Sequence, residues 1–154
     1  MYSQGQGVPQ DYVKAAEFYQ KSADQGFAPA LAALGEMYIQ GQGVPKDVEK
    51  GHGLLRDAKA RRKAQEQKSQ GAAYFIMGTL YFDGQGRPKD LAMAALLFQK
   101  AADQGEPRAQ NYLGVMYLKG LGVSKDAEKG CGLPRDALAK GVGSQEEIDH
   151  YCPQ

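Results

Sequence analysis

Residues 38–47 read YIQGQGVPKD, and their frame, Tyr-x-x-Gly-x-Gly-x-x-x-Asp, occurs three more times in the chain: from Tyr2 (YSQGQGVPQD), Tyr81 (YFDGQGRPKD) and Tyr117 (YLKGLGVSKD). The starts lie 36, 43 and 36 residues apart. A period in this range marks an array of small units, none of which buries its apolar face alone. Outward from the frame each unit reads as two helices. In ALAALGEMYIQ, residues Ala30, Leu34, Gly35 and Tyr38 return at helical spacing. Pro29 suits a first turn, and Gly41 suits a left-handed helix end. Asp47 then offers a carboxylate to the free amides of a second helix, as do Asp11, Asp90 and Asp126. That second helix places Ala15, Ala16, Tyr19 and Ala23 on one face and stops at Gly26; Ala94, Ala95, Phe98 and Ala102 repeat the pattern, stopping at Gly105.

The frame, with Leu34-Gly35, Tyr38, Gly41, Gly43, Val44 and Asp47 and again Leu113-Gly114 through Asp126, resembles the Sel1-like repeat, a relative of the tetratricopeptide repeat. The third unit departs from it at Met77 and Arg87. The resemblance implies an all-α, right-handed α/α superhelix whose concave groove binds other proteins. It is expected to fill 1–154 as one domain, with repeats near 1–26 (partial), 27–71, 72–105 and 106–141 and a capping tail at 142–154. Above this lies a second period: residues 41–60 and 120–139 match at 14 of 20 positions, which reads as duplication of a two-repeat block. Gly35, Gly78 and Gly114 fall mid-helix at a cost of ~1 kcal/mol each. That cost is reasonable where helix backbones must approach closely.

Charge is balanced, 19 Lys and Arg against 18 Asp and Glu, which disfavours nucleic acid or a membrane surface as the main ligand. No apolar run approaches the ~20 residues that span a bilayer. Met1-Tyr2 aligns with Met37-Tyr38 and Met116-Tyr117, so the chain is expected to begin inside a unit, its first helix and any leader missing. Cys131 and Cys152 are the only cysteines. They read as a disulfide pinning the tail, worth ~3 kcal/mol by chain entropy, or as two reduced thiols, or as a metal or redox pair. Ser144 with Glu147 reads as a capping box for a tail helix presenting Ile148 and Tyr151, a cap over the fourth unit.

Units two and four break the pattern. Gly51-His52-Gly53 and Gly130-Cys131-Gly132 should loosen their second helices by ~2 kcal/mol, and Pro134 predicts a bend or restart in the fourth. Unit two is also long, with 24 residues from Asp47 to Gly71 against 15 from Asp11 to Gly26. The added KARRKAQEQKSQ predicts a helix ending at Gly71 that overhangs by about two turns. Arg56, Lys59, Arg61, Arg62, Lys63 and Lys68 make a basic prominence there, a solvated face or a dock for an acidic partner surface.

Catalytic patterns are not apparent, and the reading is of a non-enzyme without cofactor or metal. The glycine pairs follow helices, whereas phosphate cradles follow strands and carry Lys-Ser/Thr. A zinc site from His52, Cys131, His150 and Cys152 would need side chains two units, roughly 20 Å, apart. Contacts to a partner are assigned to Glu36, Tyr74, Gln110, Asn111 and Tyr112 on the first helices, with the four frame tyrosines taken as core. Small Sel1-like proteins include signalling adaptors, host-interaction factors and periplasmic immunity proteins against antibacterial effectors, type VI secretion phospholipases among them. The tail cysteines and basic protrusion resemble the immunity kind, which implies a cognate toxin as partner, a periplasmic or secreted site, and a monomer or weak dimer. The alternative is an adaptor in signalling, envelope assembly or host interaction, cytoplasmic in the first case.

Overall fold

The structure, a computed structural model, describes residues 11–152, less the side chains of Glu147 and Tyr151. The expectations for Met1 and Tyr2, for the Glu147 side of the capping box and for the Tyr151 ring therefore lie outside the described residues. The fold is all-α. Its helices are α1 (Tyr12–Asp24), α2 (Ala28–Gln40), α3 (Val48–Asp83), α4 (Leu91–Asp103), α5 (Pro107–Lys119), α6 (Ala127–Ala139) and α7 (Gln145–Tyr151). They fall into two compact units, Met1–Gln65 and Glu66–Gln154.

One set of bonds builds every frame. The Asp11, Asp47, Asp90 and Asp126 carboxylates accept from the backbone N–H of Lys14, Lys50, Met93 and Lys129 at 2.9–3.0 Å, satisfying amides that a helix start leaves free. The aspartate's own N–H donates back to the tyrosine carbonyl: Asp47 to Tyr38 at 2.8 Å, Asp90 to Tyr81 at 3.0 Å, Asp126 to Tyr117 at 2.9 Å. Two glycines with φ near +70°, such as Gly41 and Gly43, reverse the chain between them. Among the described frames, Tyr38, Tyr81 and Tyr117 are half-buried and packed against the cores. A cation lies over each ring: Lys50 Nζ at 4.1 Å from Tyr38, Arg87 at 4.4 Å from Tyr81, Lys129 Nζ at 5.4 Å from Tyr117.

The second glycine of the frame also joins repeats. A Cβ on Gly43 would run into the Tyr12 backbone, and one on Gly122 into the Leu91 backbone, so in each unit a loop lies flat on the start of the preceding helix. Gly86, in the same register, meets nothing within 4 Å. In the first unit Ala15, Ala16, Ala23, Ala30, Leu34 and Met37 make a small-residue core. In the second, Ala94, Ala95, Phe98, Ala109, Leu113 and Met116 do the same. Met77 holds the register of Leu34 and Leu113, both 1% exposed, yet is 44% exposed.

One sequence expectation about a helix end fails. α3 does not stop at Gly71; it runs 36 residues without a break. The other first helices begin beyond a left-handed glycine (Gly26 φ 84°, Gly105 φ 82°) and carry proline in the first turn. After Gly71 come only Ala72 and Ala73, which favour helix. Gly71 is itself helical, and its missing side chain admits Gln104 Cβ to 3.0 Å of the Cβ position. The added residues are thus mid-helix, with 61–70 exposed throughout. Of the bend or restart expected at Pro134, the restart is excluded, because the proline sits inside a single helix, α6. The proline ring packs where a side chain on Gly114 would meet it at 2.6 Å.

Gly122→Ala should lower the melting temperature by more than Gly86→Ala. Both alanines carry the left-handed cost of about 1–2 kcal/mol, but only the first meets backbone; equal losses measured by calorimetry would contradict this stacking contact. A second expectation concerns acid. Hydrogen bonds from the Lys14 and Lys129 amides hold the Asp11 and Asp126 carboxyls below their usual range, with partial desolvation opposing. Stability from these caps is present above the unfolded carboxylate value of about 3.9 and is lost as pH falls through the lowered folded values. Asp126→Asn, which keeps a capping side chain, should match the parent at pH 7 and lose less stability in acid, measured by thermal unfolding against pH.

Candidate functional site

The site is built on α5. Glu106 caps its start, accepting from the Arg108 amide at 3.2 Å and gripping the Arg108 guanidinium at 2.8 and 3.0 Å. The paired Arg108 holds the Glu106 carboxyl below the usual range against partial desolvation, and the same bond raises the guanidinium. Arg108 in turn lies 4.5 Å over the Phe75 ring, so the first turn of α5 is tied to α3. This fixes the direction in which the following turn projects Asn111 and Tyr112.

Tyr112 is the hub of an aromatic cluster. Its ring lies 5.1 Å from Phe98, 5.5 Å from Phe75 and 5.7 Å from Phe82, the last two nearly edge-on. Phe98 is fully buried, while Tyr112 is 41% exposed. One part of the tyrosine is therefore locked by packing and another faces outward, giving a rigid aromatic anchor with little rotamer freedom left to lose.

Beside it opens a cavity of about 360 Å³. Phe82, Tyr112, Val115 and Leu118 form the wall from α3 and α5, with Pro134 from α6 at its base. The opposite wall comes from the tail: Gly143, Ser144, Ile148 and Cys152. Among the described residues none that lines it is charged, and Asn111 supplies an amide donor and acceptor. The tail is held in three ways. Ile148 is 4% exposed, Cys152 is bonded to Cys131 of α6 (S–S 2.06 Å), and Gly143, φ 92°, lies so close to Asn111 that a Cβ would meet Nδ2 at 2.8 Å. With both sulfurs in that bond neither is a thiol. Among the described residues no cluster of His, Cys, Asp or Glu is placed to hold a metal.

The residues assigned to partner contact from sequence separate here. Asn111 and Tyr112 meet at the cavity. Glu36 is exposed on α2, in the other unit. Gln110 is 7% exposed and its Oε1 accepts from Lys140 Nζ at 3.2 Å, so it belongs to the packing of α5 on α6 and is withdrawn from the contact set. Tyr74 holds the same register in the third repeat; it is half-buried, with Lys100 Nζ 5.7 Å from its ring. Spacing alone placed both beside Tyr112, but they lie on the side facing their own second helix. Arg56, Lys59, Arg61, Arg62 and Lys63 are exposed along α3. Arg61 is drawn back against Gly26 at the end of α1, where a cation suits the carbonyl end of a helix.

Sequence reading missed Phe82, Val115, Leu118, Pro134 and Gly143 as cavity residues. Their signal lies in the duplication. The counterparts of Asn111, Tyr112 and Val115, 79 residues earlier, are Ala32, Ala33 and Glu36. The first block thus has no aromatic anchor at this position, and the two blocks are not equivalent sites. A further divergence is outside the cavity: Met93 and Leu96, 37% and 50% exposed, stand where other repeats have Lys14, Lys50 and Lys129, and Glu17, Gly53 and Gly132.

Among the described residues, paired helices that recur around a shared glycine frame define a repeat-built binding scaffold. The Sel1 repeat matches residues 1–27, 28–60, 71–106 and 107–133, and the chain belongs to the Sel1 repeat family. Among solved structures it is similar to a Sel1 repeat protein from Oxalobacter formigenes (34% identity over 92% of this chain and 55% of that one, TM-score 0.44). It is also similar to c5321, a protective antigen of uropathogenic Escherichia coli with an SLR fold (29% identity, 92% of this chain and 36% of that one, TM-score 0.43). This chain therefore spans about half or less of the length of those two. No curated protein matches it. Sel1 repeats mediate protein–protein interaction, and no helix among the described residues is long and apolar enough to cross a membrane.

Gly143→Ala should force the loop before α7 away from Asn111. Hydrogen–deuterium exchange should then rise in residues 142–151 and stay unchanged in α4; unchanged exchange in the tail would show that this close approach does not hold it.

Proposed function

We propose that this chain is a non-enzymatic scaffold that captures another protein on the Tyr112 face of its second unit. The observation that carries the reading is Tyr112 itself, a packed but 41% exposed ring lining a cavity whose described lining residues carry no charge. Exposed Ile76, Met77, Met93 and Leu96 enlarge the apolar surface of the same unit, and apolar surface of this kind is a common mark of protein partners. The basic residues of α3 contribute to rate rather than to grip. Arg56, Lys59, Arg61, Arg62 and Lys63 would steer an acidic partner surface during encounter.

The finer reading is a periplasmic immunity protein that neutralises a secreted antibacterial effector. The Cys131–Cys152 disulfide supports an oxidising compartment, and a site made for one macromolecule suits a dedicated inhibitor. An adaptor in signalling, envelope assembly or host interaction remains the alternative. Gene deletion separates them. Loss of an immunity protein is lethal only in cells facing the cognate effector, whereas loss of an adaptor leaves survival under effector attack unchanged.

With the partner in hand, changing Arg61, Arg62 and Lys63 together to Glu should slow association by about tenfold or more at low salt. The melting temperature should move little, because all three side chains are exposed. Unchanged association kinetics would remove the steering role.

A further inference from the structure

We infer that the cavity beside Tyr112 is a receptor for one uncharged aromatic group, and that the Cys131–Cys152 disulfide keeps this receptor formed. The inference rests on the proposed partner-binding role of the Tyr112 face and gives that face a ligand chemistry and a control. The ligand class follows from the walls. Tyr112 and Phe82 meet at 87° with centroids 5.7 Å apart, so together they present both a ring face and a ring edge. Val115, Leu118 and Ile148 are aliphatic, and among the described lining residues none carries a charge that would repay the desolvation of an ion. Asn111 can accept from an indole N–H or a phenol O–H. A volume of about 360 Å³ lies at the small end of the range for ligand pockets. It suits a single ring system, either a free small molecule or a side chain of the partner.

The dependence on the disulfide follows from what holds the far wall. α7 has seven residues, too few for a helix to persist by itself in water. It is kept in place by Ile148, by the Gly143 approach to Asn111 and by the Cys152 bond to α6. Four residues of the cavity lining belong to this tail, Cys152 among them. A dithiol reductant supplies two electrons and two protons to the S–S bond, giving two thiols while the dithiol becomes a disulfide. The covalent tie is then gone, Cys152 no longer has to stay beside Cys131, and the wall separates from α5. The helices of the repeats do not depend on that bond, because their caps and glycine contacts are elsewhere.

The chain has no tryptophan, so the emission of an added indole reports on its own surroundings. The full oxidised chain is titrated against free indole and, separately, against an uncharged peptide carrying one tryptophan. Saturable, blue-shifted binding of either probe is expected, and indole alone would indicate a small-molecule source while the peptide alone or more tightly would indicate a side chain. Reduction by dithiothreitol, and Cys131→Ser with Cys152→Ser, should weaken binding at least tenfold while circular dichroism retains most of the helix signal; reoxidation of the wild type should restore it. Val115→Lys in the oxidised chain should abolish binding, and Ala33→Lys in the first block should not. Binding that survives reduction unchanged overturns the control by the disulfide. An oxidised chain that binds neither probe, or binds them equally well with Val115→Lys, overturns the receptor itself. Either result leaves capture of a partner protein to be judged by binding of that partner itself.

Discussion

Backbone meets backbone at the glycine frame, and the rest of the molecule is arranged around that approach. An aspartate N–H reaches back to a tyrosine carbonyl while its carboxylate caps the next helix. The loop between them lies flat only because two of its residues have left-handed backbones and no side chain. At Gly43 and Gly122 this flatness lets the loop rest on the preceding helix start. Alanine-rich faces such as Ala94, Ala95 and Ala109 then complete the close packing with very little volume per position. A core of this kind gains less from each side chain than one of leucine and phenylalanine, so the hydrogen-bonded frame takes a larger share of the specification.

Most of the fold was legible because these devices are local. A cap, a left-handed glycine and a helical stripe each span fewer than a dozen residues, and all four aspartate caps appear where their spacing put them. What was not legible was the outcome of competing local signals. Gly71 resembled the stop glycines Gly26 and Gly105, but without a following proline the helix formers on both sides carried α3 through it. Pro134 resembled a breaker, but Gly114 leaves room for its ring and the helix continues. In the candidate site, Tyr112 and Asn111 could be named from residue type and register, whereas Gln110 could not be told from them without knowing that Lys140 lies opposite. The cavity is made by elements far apart in sequence, and its tail wall depends on a disulfide that the cysteine count left open among three readings.

Duplication followed by divergence explains why a symmetrical sequence carries an asymmetrical surface. The two blocks share their frames, but where one has Ala33 and Glu36 the other has Tyr112 and Val115. Aromatic and aliphatic side chains there create an anchor and a cavity, and Cys131 with Cys152 closes it with a tail that has no counterpart before the second unit. Scaffold and cavity are thus separable: the frame residues hold the repeats, and a few residues on α5 and in the tail set the surface of one block apart from that of the other.

Hydrogen–deuterium exchange of the chain with its captured partner tests this account most directly. Protection gathered in residues 111–118 and 143–151 of the second unit is the expected result. Protection confined to α2 of the first unit, with the Tyr112 face exchanging as in the free chain, would contradict it.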